Sequence, residues 1–166
     1  CYRQGRSVEP GDFGGVGDGE VHFGPPYHTI EGSVVIDGPI DSVSMGDPDE
    51  PIRILVRKGR IVSIDGGRTA KKLRDFITKI KGDYISEIAI GTNPDWIPSQ
   101  HSPHSVKKGL GNCHVAYGGW LGHQDEASII KDRGKARANE AIPCKIHGDM
   151  VIYKATVIID GNTIME

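Results

Sequence analysis

His147 and Asp149 stand two residues apart in the stretch Ile142-Pro143-Cys144-Lys145-Ile146-His147-Gly148-Asp149-Met150. In an extended segment residues i and i+2 point to the same face, so this spacing sets an imidazole beside a carboxylate. A divalent-metal site requires such a pair. Gly148 between them carries no side chain and leaves room for a bulky group against the backbone. The flanking Ile146 and Met150-Val151-Ile152-Tyr153 are apolar and β-prone, which puts the pair on a strand, a firmer support than a loop. An ordinary His and Asp at a strand end have the same spacing, so the rest of the polar residues must decide.

Three of them stand on or beside strand-like segments: Glu20, Glu87 and His114. Glu87 lies in Tyr84–Ile90, where Ile88 and Ile90 share one face and Ile85, Glu87 and Ala89 the other. A carboxylate buried there without a partner is costly, so it needs a cation, a metal or water. With His147 and Asp149 these residues make a nitrogen and oxygen ligand set without thiolate, suited to Zn²⁺, Co²⁺, Mn²⁺ or Fe²⁺. The carboxylates beyond the His-x-Asp pair suffice for two ions sharing a bridging carboxylate and activating a water between them. The remaining histidines (His22, His28, His101, His104, His123) have no partner pattern and read as exposed or simply hydrogen-bonded. Cys113 and His114 are neighbours on a strand and face apart, and Cys144 reads as a small buried apolar residue. The glycine run over residues 14–19 is followed by no Lys or Thr and opens no helix, so it is not a phosphate loop.

The elements that must hold these residues are mostly strands. The pattern predicts strands at Glu20–Phe23, Glu31–Ile36, Ile52–Val56, Ile61–Ile64, Tyr84–Ile90, Cys113–Tyr117, Met150–Tyr153 and Ala155–Ile159, with a last one from Thr163. Lys58-Gly59 and Asp160-Gly161-Asn162 are the turns. One helix is expected at 69–81, with Thr69 as N-cap, Leu73, Phe76, Ile77 and Ile80 on its buried face and Gly82 as its closing glycine. Residues 91–111 read as an irregular loop, and 125–139 as a surface helix or mobile loop. The expected fold class is α+β, a mostly antiparallel sheet with one amphipathic helix packed on it.

The 166 residues fit a single metal-binding domain of catalytic type spanning 1–166. The first residue, Cys1, and the strand-like end suggest a piece of a larger protein. A net charge of −2 and 6% aromatics suggest no nucleic-acid or membrane partner. Three cysteines at scattered spacing argue for a reducing, cytoplasmic location.

Four segments, in order, carry a resemblance: Gly19-Glu20-Val21, Ser86-Glu87-Ile88-Ala89, His114-Val115-Ala116-Tyr117-Gly118 and His147-Gly148-Asp149. Together they resemble the C-terminal metal-binding part of the thermophilic metalloaminopeptidases (aminopeptidase T and its leucyl aminopeptidase-like relatives) over roughly residues 11–166. The resemblance implies a hydrolase that cleaves N-terminal peptide bonds of small peptides, possessing two divalent ions held by Glu20, Glu87, His114, His147 and Asp149, with Glu87 catalytic. It also implies a homodimer. The 2,5-dihydroxypyridine dioxygenases are a related branch, in which two His and one Asp hold a single Fe²⁺; His114, His147 and Asp149 match that set, Glu20 and Glu87 favour the two-metal hydrolase, and a non-enzymatic domain with a degenerate site is the third reading.

Overall fold

The computed structural model describes residues 19–26, 28–44, 46–95, 103–119, 144 and 146–166. The expectations for the glycine run and for 125–139 fall wholly or largely outside that set, and the described part of the loop expected at 91–111 includes a short helix, Pro103–Val106. The chain is a sheet-rich α+β fold. Instead of the one sheet expected, its strands form two antiparallel sheets and a separate hairpin.

The first sheet joins β1 (Glu20–Phe23), β5 (Ile85–Gly91), β6 (Cys113–Gly118) and β7 (His147–Ile152) in the order β1-β5-β6-β7. The second joins β2 (Gly32–Ile36), β3 (Ile52–Arg57) and β4 (Arg60–Asp65) in chain order, and β8 (Val157–Ile159) pairs with β9 (Asn162–Met165). Lys58 and Gly59 both take positive φ, 48° and 72°, as a two-residue hairpin turn requires. Asp160 and Gly161 repeat the device.

The core lies between the second sheet, the helix α1 (Arg68–Ile80) and one face of the first sheet. It joins Ile52, Ile54 and Ile64 to Leu73 and Ile77 of the helix and to Ile85, Tyr117 and Met150. The expected helical face is confirmed, Phe76 and Ile80 lying at its partly buried margin. Both ends of the helix differ from expectation. Thr69 is buried inside the first turn, and the cap comes from a distant loop: Asp49 accepts the backbone N–H groups of Arg68 and Thr69, each at 2.8 Å. At the other end Lys81, not Gly82, takes the left-handed conformation (φ 54°, ψ 40°), while Gly82 N–H donates to the Ile77 carbonyl. Gly82 is required for closeness instead, since a Cβ there would stand 2.8 Å from Ile80 Cδ1 and 3.2 Å from Cys144 Sγ.

The outer edge of β7 is covered by the segment 38–41. Gly38 N–H donates to the Val151 carbonyl, Val151 N–H to Pro39, and Asp41 N–H to Asp149 at 2.9 Å. Among the described residues no helix is long and apolar enough to cross a membrane.

Candidate metal centre

Strand alternation brings the candidate residues to one face. Glu87, Ala116 and Asp149 lie opposite one another across β5, β6 and β7, and Ala89, His114 and Val151 form the next row on that face. Glu20 and His22 join it from β1, facing Gly91 and Ala89, and His147 joins it from β7, facing Gly118. The opposite face, with Tyr117 and Met150, belongs to the core.

One expectation about these faces fails. Ile85 does not share a face with Glu87, because the register with β6 shifts between them: Ile85 faces Tyr117 while Glu87 faces Ala116. This bulge turns Ile85 into the core and Glu87 toward the cluster.

All five candidate ligands meet. Glu87, His147 and Asp149 each offer a ligand atom within 4.8 Å of the others. His147 Nε2 lies 3.1 Å from Asp149 Oδ1 and 3.2 Å from Glu87 Oε2. His114 Nε2 lies 3.6 Å from Glu87 Oε1 and 3.8 Å from Asp149 Oδ1. Glu20 stands at the border of this group, beside His22 at 3.5 Å.

Two histidines without a sequence pattern are also close. His22 Nδ1 is 3.9 Å from Glu87 Oε1, and His104 shares a possible ligand triple with Asp41 and Asp149.

The residue that the sequence reading missed is Lys107. It is buried, and its Nζ donates to Asp149 Oδ2 at 2.6 Å and stands 3.7 Å from Glu20 Oε2. In the sequence it belongs to a Lys-Lys pair after Ser105-Val106, which looks like solvated surface, and no spacing ties it to His114 or Asp149.

The electrostatics suit a cation. Burial pushes the Glu87 carboxyl up, but the imidazoles of His114 and His147 outweigh it and hold the pKa down at about 2. Burial also opposes ionisation of Asp149, yet the hydrogen bond to His147 and the charge of Lys107 keep it well below the usual carboxylate range. For His147, burial favours the neutral ring, and the hydrogen bonds to Asp149 and Glu87 reverse this to about 10. Lys107 is raised as well: burial disfavours its charge, and Asp149 and Glu20 more than restore it.

A metal ion fits these residues. His114 is fully buried, and neither of its ring nitrogens has a hydrogen bond in the structure, a state that is expensive unless something binds there. His147 Nδ1 donates to the Gly119 carbonyl at 2.7 Å, which leaves Nε2 as the nitrogen directed at the carboxylates. Metal-bound histidines have this outer hydrogen bond as a rule. Ions bound at about 2.0–2.2 Å hold neighbouring ligand atoms roughly 3–3.5 Å apart; His147 stands at 3.1 and 3.2 Å from its two carboxylates, and His114 stands wider, at 3.6 and 3.8 Å.

The structure of 2,5-dihydroxypyridine dioxygenase from Pseudomonas putida superposes on this chain with a TM-score of 0.66 and 19% identity, over 89% of this chain and 42% of that one. At this identity the likeness shows the fold. The chain therefore spans less than half the length of the protein it resembles. No family model matches the chain, and no curated protein matches it. The expectation of a metalloaminopeptidase, with its hydrolase and protease chemistry, is overturned by this likeness, which is to a dioxygenase. The four short motifs lie on β1, β5, β6 and β7, and strands of that kind do not by themselves carry one reaction.

Proposed function

We propose that His114, His147 and Asp149 hold one ferrous ion and that the chain is the metal-binding part of an oxygenase acting on a hydroxylated pyridine. The observation that carries this reading is the orphaned His114 imidazole, aimed with His147 Nε2 at the same pair of carboxylates. The shared fold with a 2,5-dihydroxypyridine dioxygenase supports the choice of reaction.

Bound in a two-histidine, one-carboxylate set, ferrous iron supplies open coordination positions and the electrons that dioxygen activation needs. The chain's own residues prepare that set. The Gly119 carbonyl fixes the His147 proton on Nδ1 and keeps Nε2 available. Lys107 holds Asp149 Oδ2, so Oδ1 is the oxygen left for the ion. Glu87, ionised and almost buried, can accept a hydrogen bond from a substrate hydroxyl at Oε1 or Oε2.

Protein loaded anaerobically with Fe²⁺ and then given air and 2,5-dihydroxypyridine tests the reading. The expected result is dioxygen uptake that matches substrate loss and disappears in His114→Ala. Iron-loaded, folded protein that consumes no oxygen with any dihydroxypyridine isomer would refute the activity.

A further inference from the structure

We propose that Lys107 stands where a second metal ion would otherwise bind, so that its ammonium fixes the centre at one ion. The inference rests on the one-ion reading above and explains what that reading leaves over, the presence of Glu20.

Asp149 divides its two oxygens between two cation positions. Oδ1 faces His147 Nε2 at 3.1 Å and His114 Nε2 at 3.8 Å. Oδ2 accepts from Lys107 Nζ at 2.6 Å. This is the posture of a carboxylate bridging two cations, with an ammonium as one of them. Glu20 Oε2 lies 3.7 Å from the same ammonium. Glu20, His22 and Glu87 offer ligand atoms within 4.8 Å of one another, enough to complete a second metal position once the lysine is gone.

The charges agree. Lys107 brings one positive charge to the carboxylates of Glu20 and Asp149, so a second divalent ion beside the ammonium would crowd like charges in a buried site.

The ammonium is also held in place by the backbone. The turn carrying Lys107 lies against the end of β5 at Gly91, where a Cβ would collide with the carbonyls of Lys107 and Gly109. Asn93 N–H donates to the Lys108 carbonyl at 2.9 Å, Leu110 N–H to Asn93 at 2.8 Å, and Asn112 Nδ2 to Val106 at 2.8 Å. A lysine so anchored is a built part of the centre and not a surface side chain that has folded inward.

The test is the number of Mn²⁺ ions bound per chain, by calorimetry and elemental analysis, with the electron paramagnetic resonance spectrum of the loaded protein as a second readout. Wild type is expected to bind one ion with the spectrum of isolated Mn²⁺. Lys107→Met is expected to bind two, with the signature of a magnetically coupled pair, and Lys107→Arg to return to one. A folded Lys107→Met that binds one ion overturns the inference and leaves the one-ion reading standing. Two ions in wild type, or none, overturn both. Should Lys107→Met not fold, Lys107→Gln decides by the same readout: two ions are expected, and a folded variant that binds one overturns the inference.

Discussion

At the scale of single residues, the proposed ligand His147 and its neighbour Gly148 show what the two faces of one strand must supply. His147 offers Nε2 only because Nδ1 is engaged by the Gly119 carbonyl. Removing the ring in His147→Ala should cost more metal affinity than the roughly 10–100-fold that loss of an outer partner costs, with far-ultraviolet circular dichroism unchanged. Global unfolding instead would mark the pair as structural. Gly148 is needed on the opposite face, where the Tyr117 ring from the neighbouring strand lies against it and a Cβ would collide with Tyr117 Cζ. Tyr117 has no slack: it is fully buried, donates to the Asp41 carbonyl at 2.6 Å and meets Phe76 edge-on at 6.2 Å. Gly148→Ala should therefore destabilise the fold by about 1–3 kcal/mol, as overpacking does. Combined with Tyr117→Leu, it should cost less than the sum of the single changes in urea unfolding, because the two share one space. That something bulky lies over Gly148 was legible from the sequence; that it is the ring of Tyr117 was not, since cross-strand register is a property of two strands that meet only on folding.

At the scale of elements, α1 shows how local reading reaches the face of a helix and misses its ends. The apolar period marked Leu73 and Ile77 because burial of one face follows from 3.6 residues per turn. Its cap comes from Asp49, nineteen residues before Arg68, which no local pattern can reveal. The bonds to Thr69 and Arg68 hold the Asp49 carboxyl well below its ordinary 3.8. A group whose folded pKa is depressed contributes stability above the unfolded value and loses it as pH falls toward the folded one. Asp49→Ala should lower the thermal midpoint at pH 7, and the gap from wild type should narrow as pH drops below about 4, the aspartate range. A gap that is the same at both pH values would show that the carboxylate does not cap. At the far end, Lys81 bears a left-handed conformation that glycine adopts freely. Lys81→Gly should stabilise the chain by about 1 kcal/mol, read from denaturant midpoints.

At the scale of the whole molecule, one four-stranded sheet serves two purposes through alternation. Its inner face packs Tyr117 and Met150 into the core, and its other face gathers carboxylates and imidazoles. The strands were legible because each has its own period and turn residues. Their division into two sheets was not, nor was the delivery of Lys107 from a stretch that reads as irregular loop, because both depend on contacts between distant parts of the chain. The proposed centre takes its ligands from two paired strands, β6 and β7, which couples metal to fold. An ion bound only by the folded chain at a hundred times its dissociation constant adds about 2.7 kcal/mol. Chelation should therefore lower the unfolding midpoint of loaded wild type and leave His147→Ala unmoved; equal shifts in both would place the ion elsewhere.

The bulge in β5 has its own consequence for comparing chains of different length. Because Ser86 is the extra residue between Ile85 and Glu87, a relative with a straight strand here would be one residue shorter, yet would present the same two side chains to the same two faces. Aligning such chains requires a gap at Ser86, and an alignment without one would match Glu87 with a residue of the core.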